Sequence, residues 1–188
     1  MECIAKGKAR APYEFCCKAT ITTTNGRAKG GMFILHADAL HGNPFDGHTL
    51  GEALKQTAAL TGIILKRAHV DKGYRGHKQN VHTPDPTSEM PTRPPWRVFI
   101  SGRKALKPLL AAELKRRSAI EPVIGHMKAD HRMSKNHPKG RSGDRLTLKM
   151  AAIVFNFRRI LKWLVALVLW LMTWVRAKTV RSQKMARC

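Results

Sequence analysis

Residues 13–40 read YEFCCKATITTTNGRAKGGMFILHADAL, and this stretch decides how the fold begins. Its first part, 13–24, is rich in aromatic and β-branched residues, which favour a β-strand. Its last part, 32–40, is mainly apolar and is interpreted as a second strand. Between them, NGR at 25–27 is a turn signal, and the glycines that follow add flexibility. We therefore expect an antiparallel hairpin.

The segment after the hairpin predicts a loop, a helix and a third strand. HGNPFDGH at 41–48 is typical of a loop. Thr49 followed by Glu52 matches a capping box, so we expect a helix from there to about Leu60, ended by Gly62. ILKRAHV at 64–70 is interpreted as a strand. This order indicates an α/β fold in which a helix crosses over a mixed sheet.

The second half of the chain is predicted to be largely helical. Residues 77–95 contain five prolines without apolar periodicity, which indicates a flexible loop or insertion. WRVFI at 96–100 is a candidate short strand. Helical sequence follows from Lys104, with expected breaks around Pro122 and at Pro138 to Gly143. We expect a main domain at 1–145, an apolar helix at 146–175 and a basic tail at 176–188.

The run WLVALVLWLMTWV at 163–175 has thirteen residues without a charge. A spanning helix needs about 20 apolar residues, so a buried or interfacial helix is favoured. Basic residues flank the run on both sides, and tryptophans beside basic residues also suit a membrane interface. A membrane anchor at 160–178 therefore stays open as an alternative.

Charge indicates the class of partner. The chain has 35 Lys and Arg against 12 acids, a formal net charge of +23, and 43% hydrophobic residues. The hydrophobic content excludes a disordered polycation, and the charge favours polyanions, chiefly nucleic acid. No secretory signal is seen in the first ten residues, and the four cysteines form no CxxC pair. Reduced cytosolic thiols are expected.

Two of the acids stand out as candidates for chemistry. Asp71 follows an apolar strand and precedes a glycine turn, where α/β folds place their sites; the alternative is a turn-forming Asp. Glu121 shares a helical face with Arg117, Gly125 and Lys128. The alternative there is a surface Glu paired with Arg117, which is worth a few tenths of a kcal/mol.

Two acids on a strand end and a helix face, among cations, suggest a divalent-metal site for phosphodiester chemistry. Mg²⁺ prefers hard oxygen ligands, and paired metals hold the attacking and leaving oxygens in line. The surrounding Lys and Arg would hold the DNA backbone. His77, His126 and His131 lie near these acids, but a histidine site is less favoured because hard-metal chemistry does not need them.

Three motifs resemble the DDE transposases of bacterial insertion sequences, specifically the insertion-sequence-five group. They are GNPFDGHTL at 42–50, VDKGYRGH at 70–77 and KRRSAIEPVIGHMKADHR at 115–132. KGKARAPYEF at 6–15 and KGRSGD at 139–144 are also similar to that family. The resemblance reaches about Trp163 and implies an RNase H-like catalytic fold, DNA as partner and Mg²⁺ or Mn²⁺ as cofactor.

The resemblance also implies roles for individual residues. Asp71 matches the family's second catalytic Asp, and Glu121 matches its catalytic Glu, so both are expected to be catalytic and to bind metal. Arg117 and Lys128 match the signature around that Glu, whereas Leu114 stands where the family has Tyr. Further supporting or DNA-binding candidates are Tyr74, Arg75, Lys115, Arg116 and Arg132.

The resemblance begins close to Met1, so the family's first catalytic Asp and its strand are expected to be missing. We therefore expect the C-terminal part of a transposase, with weak metal binding and no strand cleavage by the chain alone. Its partners would be transposon-end DNA and either a second copy or an N-terminal partner chain. The expected location is the bacterial cytoplasm, associated with the nucleoid. The alternative class is a non-catalytic basic nucleic-acid-binding protein.

Overall fold

The computed structural model describes residues 2–5, 13–26, 31–77, 96–102, 107–135 and 137–185. This part of the chain is an α/β structure with a long C-terminal helix, as expected, but its sheets are small. The expected loop or insertion at 77–95 lies outside the described residues, except for His77. The strands and helices follow in this order: β1 Glu2–Ala5, β2 Tyr13–Cys16, β3 Lys18–Thr23, β4 Ile34–Leu40, α1 Asp46–Thr61, β5 Arg67–Val70, β6 Arg97–Ile100, α2 Pro108–Arg116, α3 Ile120–Ala129 and α4 Gly140–Met185.

Within the described residues, the strands form three two-stranded sheets rather than one mixed sheet. The predicted hairpin is confirmed, because β3 and β4 pair antiparallel from Lys18 opposite Leu40 to Thr23 opposite Ile34. β5 and β6 pair in parallel. β1 pairs antiparallel with β2, so the expectation that the chain begins directly with the hairpin was wrong. The strand predicted at 13–24 divides at Cys17, because its two halves pair with different neighbours.

Helix α1 lies where a helix was expected, but the predicted capping box was wrong. The helix begins at Asp46, and the Thr49 hydroxyl donates to the Asp46 carbonyl at 2.9 Å within the first turn. Thr49 is therefore inside the helix. Phe45, the residue that precedes the helix, has no side-chain group that caps it. The predicted end is confirmed: Gly62 has φ 65° and its N–H donates to the Ala58 carbonyl, a conformation that favours glycine.

A first core forms where α3 and α4 pack against β4. Asn156 of α4 fixes this packing, because its side chain accepts from the Ile34 N–H at 3.0 Å and donates to the Ile34 carbonyl at 2.8 Å. A partly buried amide that satisfies two backbone groups sets the position of α4 along the strand. The buried residues of this core are Ile34, Ala37, Ala39, Val123, Met127, Leu148, Ala151, Ala152 and Phe155.

A second core packs α1 against β5 and β6. Its buried residues are Leu50, Leu54, Val70, Trp96 and Val98. Helix α2 is joined to β5 by an ionic network rather than by apolar contact. Arg67 donates to both carboxylate oxygens of Glu113 at 2.8 Å, and His69 Nε2 donates to the same carboxylate at 3.1 Å. Glu113 is buried, although it is a charged residue within the predicted helical stretch that follows Lys104.

Helix α4 is longer than predicted at both ends. It begins at Gly140 and continues to Met185, so it includes residues on both sides of the expected boundaries at 146 and 176. Its N-terminal part packs into the first core, and beyond Arg159 every residue up to Ala177 is exposed. An 18-residue window of this helix has mean hydropathy 1.7 and no buried residue. By length and composition the helix is able to cross a membrane.

Replacing Glu113 with glutamine is expected to lower the free energy of unfolding by about 1–2 kcal/mol. The change removes the carboxylate charge from a bidentate pair, and the cost is below that of a fully buried pair because the Arg67 side chain is 42% exposed. Urea denaturation measures the effect. Glu52→Gln, an exposed glutamate on α1, is the matched control and should change stability little. Equal effects at the two positions would contradict the role of Glu113.

The free energy of unfolding should fall as pH is lowered from about 7.5 to about 5.5. Burial lowers the pKa of His69 below its ordinary value of 6.5, although hydrogen bonding to Glu113 opposes that shift. Burial likewise lowers the pKa of His36. Below pH 6.5 the unfolded chain therefore binds more protons than the folded chain, and acid destabilises the fold.

The measurement is the urea midpoint as a function of pH, with His69→Gln as the comparison. Because glutamine does not titrate in this range, the variant should have a shallower pH profile than the parent. A profile of unchanged slope would contradict the assignment to His69.

Candidate metal centre and nucleic-acid interface

Asp71 stands directly after β5, at the carboxyl end of the parallel pair. Its Oδ1 accepts from the Lys72 N–H at 2.6 Å and caps the short 3₁₀ turn Lys72–Tyr74. Ser101 at the end of β6 donates both its N–H and its hydroxyl to the Val70 carbonyl, at 3.0 and 3.1 Å. Asp71 therefore projects from an edge that is held in place, and its side chain is 60% exposed.

Glu121 lies in the first turn of α3, and the packing of that helix turns it outward. Val123 and Met127, four residues apart, bury one side of α3 in the first core. Glu121 lies on the other side and its side chain is 72% exposed. Pro122 falls in the same first turn, where a missing N–H costs the helix nothing. The predicted break there is a 3₁₀ turn, Arg117–Ala119, between α2 and α3.

Arg117 joins the two candidate acids. Its Nη1 lies 3.8 Å from Asp71 Oδ2, and its Nη2 lies 3.9 Å from Glu121 Oε1. The pairing of Arg117 with Glu121 follows from their helical spacing, but the approach of Asp71 does not. One half-buried guanidinium thus lies within ion-pair distance of two carboxylates from segments fifty residues apart.

Tyr74 lies on the inner side of the turn that follows Asp71. Burial raises the pKa of its phenol above the ordinary value of 10.0, and Asp46 and Asp71 add to the rise, whereas a hydrogen bond with Thr20 opposes it. Asp46 itself pairs with Lys18 at 2.6 Å. Tyr74 therefore links the hairpin to the candidate site and acts there as a packing residue.

Most of the remaining predicted DNA-binding cations are exposed. Lys115 on α2, Arg75, Lys128 and Arg132 are all open to solvent, as a polyanion-binding surface requires. Arg116 is different. Its Nε is buried, and it lies near enough to His69 to help lower the pKa of that residue, after burial as the main cause. It therefore faces the β5 network.

The C-terminal end of α3 and the adjacent part of α4 carry further basic residues, which the sequence analysis did not predict to bind DNA. Asp130 pairs with His126 at 2.9 Å and with Arg158 of α4 at 3.0 Å. Hydrogen bonding from His126 is the largest cause that lowers the pKa of Asp130. A cavity between α3 and α4 is lined here by His126, Asp130, His131, Phe155, Arg158, Arg159, Lys162 and Trp163. This side of α3 and α4 is therefore a basic, partly concave surface.

The donor chemistry at Asp71 and Glu121 fits a hard divalent cation. Both acids offer exposed carboxylate oxygens, and both already face the same positive group, Arg117. Among the side chains that the structure describes, no third carboxylate pairs with Arg117. Two carboxylates are few for a protein-only site, but Mg²⁺ is usually held by one or two carboxylates together with water and substrate phosphate.

Comparison of the chain with protein-family models, with curated proteins and with solved structures found no match.

Proposed function

We propose that the chain is the catalytic-domain fragment of a DDE transposase, with an RNase H-like arrangement of its strands and helices. The observation that supports this most directly is the convergence of Asp71 and Glu121 on Arg117. The motifs that resemble the family contain these three residues, and two carboxylates that share a metal site must lie close together, as their common approach to Arg117 requires. The order of hairpin, helix and parallel strand pair is also compatible with this fold.

Asp71 and Glu121 would hold Mg²⁺ or Mn²⁺, which in such sites stabilises the charge that develops on the phosphodiester oxygens. The roles of the other residues follow from their own positions. Arg117 keeps the two carboxylates close together when no other cation is present. Lys115, Lys128 and Arg132 are exposed and would bind phosphates of the DNA backbone.

Binding to DNA would be mainly electrostatic. The net charge of +23 favours any polyanion. Affinity for DNA is expected to fall steeply with salt, because added salt reduces the free energy gained when counterions leave the DNA. Transposon-end DNA is the proposed partner, and the bacterial nucleoid the proposed location. A second copy, or a partner chain, is proposed to supply a third carboxylate, because among the described residues Asp71 and Glu121 are the acids that pair with Arg117. By itself the chain is expected not to cleave or transfer strands, because two carboxylates position the attacking oxygen poorly.

Calorimetry with Mn²⁺ tests the proposed metal site. Wild-type chain should show weak, saturable binding that both Asp71→Ala and Glu121→Ala abolish. Arg117→Ala should bind Mn²⁺ more tightly than wild type, because it removes the cation that competes for the same oxygens. Glu52→Ala, which removes an exposed acid on α1, is the matched control and should leave binding unchanged.

The same titration distinguishes a metal site from a surface ion pair that binds no metal. If Asp71, Arg117 and Glu121 form only a surface ion pair, Arg117→Ala will bind no Mn²⁺ and the proposal fails. A nicking assay on inverted-repeat DNA is expected to give no product with the chain alone. Robust nicking that is lost in Glu121→Ala would overturn the prediction of inactivity while supporting the metal site.

The exposure of α4 favours a second candidate, a membrane-surface or membrane-anchored protein. From Trp163 to Val175 the helix is apolar on every side, and none of these residues is buried. A helix that is hydrophobic all round belongs in a protein core or in lipid. Arg158, Arg159 and Lys162 precede the run, so cations stand at the end where anionic headgroups would lie.

Flotation with vesicles of mixed anionic and neutral phospholipid tests this candidate. Wild-type chain should float with the vesicles and stay bound at high salt, because apolar burial is insensitive to screening. Leu167→Lys together with Leu171→Lys should release it, whereas Leu109→Lys, an exposed leucine on α2, should not. Binding that salt reverses fully would show a purely electrostatic contact and rule out anchoring by α4.

A further inference from the structure

A second cluster of potential ligands forms away from Asp71 and Glu121, on the hairpin side of the first core. Cys17 lies between β2 and β3, His41 directly follows β4, and Asp144 is in the N-terminal part of α4. Cys17 Sγ is 3.4 Å from His41 Nδ1, which is 3.8 Å from Asp144 Oδ2. All three ligand atoms lie within 4.8 Å of one another, and all three residues are partly buried.

We infer that Cys17, His41 and Asp144 form a binding site for Zn²⁺ or a similar borderline-soft divalent metal. Bonds from zinc to sulfur, nitrogen and oxygen of about 2.0–2.3 Å at tetrahedral angles place the ligand atoms roughly 3.3–3.6 Å apart. The separations of 3.4 and 3.8 Å at His41 therefore need only small adjustments, and Cys17 Sγ and Asp144 Oδ2, which lie within 4.8 Å of each other, would move closer together. A set of thiolate, imidazole and carboxylate selects zinc over magnesium, which prefers oxygen ligands alone.

The packing around the cluster keeps the three segments close together. Lys18 and Leu40, the neighbours of Cys17 and His41, are paired across the hairpin. Asp144 follows Gly143, where an added Cβ would lie 2.5 Å from the Pro138 carbonyl oxygen, so the first turn of α4 packs tightly against the segment that precedes it. Cys17 also packs against the first core. Ligands that the fold holds in advance lose little conformational entropy when a metal binds.

Binding would proceed by proton release without any change of oxidation state. The Cys17 thiol loses its proton to solvent and the thiolate donates an electron pair to Zn²⁺, while His41 binds through Nδ1 as the neutral ring. Three protein ligands leave the fourth tetrahedral position open to water or to an external ligand. The metal would tie the start of α4 to the hairpin. This inference does not rest on the proposed transposase function.

The competing explanation is a hydrogen-bonded structural cluster. The Cys17 thiol has the Leu40 carbonyl at 3.4 Å as an acceptor, and a neutral thiol is able to donate to it. In that case the three side chains would contribute to stability, and added zinc would have no specific effect on the chain.

The experiment is titration of the whole chain with Zn²⁺ against a chromophoric chelator, and with Co²⁺ as a spectroscopic probe. One equivalent of metal should bind with a sulfur-to-cobalt charge-transfer band. Cys17→Ser, His41→Gln and Asp144→Asn should each weaken Zn²⁺ binding at least tenfold. Cys188→Ser and Asp71→Ala should leave both the affinity and the band unchanged, which separates this site from the proposed magnesium site.

Thermal denaturation gives a readout that does not depend on the band. Zn²⁺ but not Mg²⁺ should raise the midpoint of wild-type chain, and Asp144→Asn, which preserves the shape of the side chain, should lose most of this rise. Circular dichroism establishes that each variant is folded. Zinc affinity that survives Cys17→Ser, a missing charge-transfer band, or a midpoint that Zn²⁺ leaves unchanged would overturn the inference.

Discussion

The structure depends on the burial of one side of α3 between β4 and α4. Val123 and Met127 enter that core, and Met127 has no exposed surface. Because the helix has a single apolar side, this burial directs Glu121 and Lys128 to solvent. Asn156 anchors α4 to the backbone of Ile34, and α4 in turn holds α3. The orientation of the candidate site is thus a consequence of apolar packing on the opposite side of the helix.

Polar links connect this core to the second one and position Arg117 between Asp71 and Glu121. Helix α2, which leads into Arg117, is attached to β5 through Glu113, Arg67 and His69. The Glu113 carbonyl also accepts from the Asn25 side chain at 3.0 Å, so the same helix contacts the hairpin. Burial would raise the pKa of Glu113, but the hydrogen bonds from Arg67 and His69 hold it below its ordinary value. A charged, paired carboxylate there fixes the start of the helical segment.

Helix α4 combines two surfaces that normally occur in different environments. Its N-terminal half packs on the sheet and adjoins a basic cavity, which suits binding to polyanions. Its later turns are apolar and open, which suits lipid. The two surfaces lie on one continuous helix, so a partner bound to the basic surface and a membrane bound to the apolar surface would be held at a fixed distance along α4. The proposed transposase fragment and the membrane-surface protein therefore make different use of the same element.

The sequence by itself determined the elements whose signals are local. The hairpin, the end of α1 at Gly62, the strands before Asp71 and at 97–100, and the shared face of Arg117 and Glu121 all follow from composition, turn chemistry or helical spacing. Only the tertiary structure decided which strands pair, that Glu113 is buried, that Asp71 reaches Arg117, and that Cys17, His41 and Asp144 converge. These contacts join residues far apart in the chain. They arise from burial of apolar surface elsewhere, which local propensity does not encode.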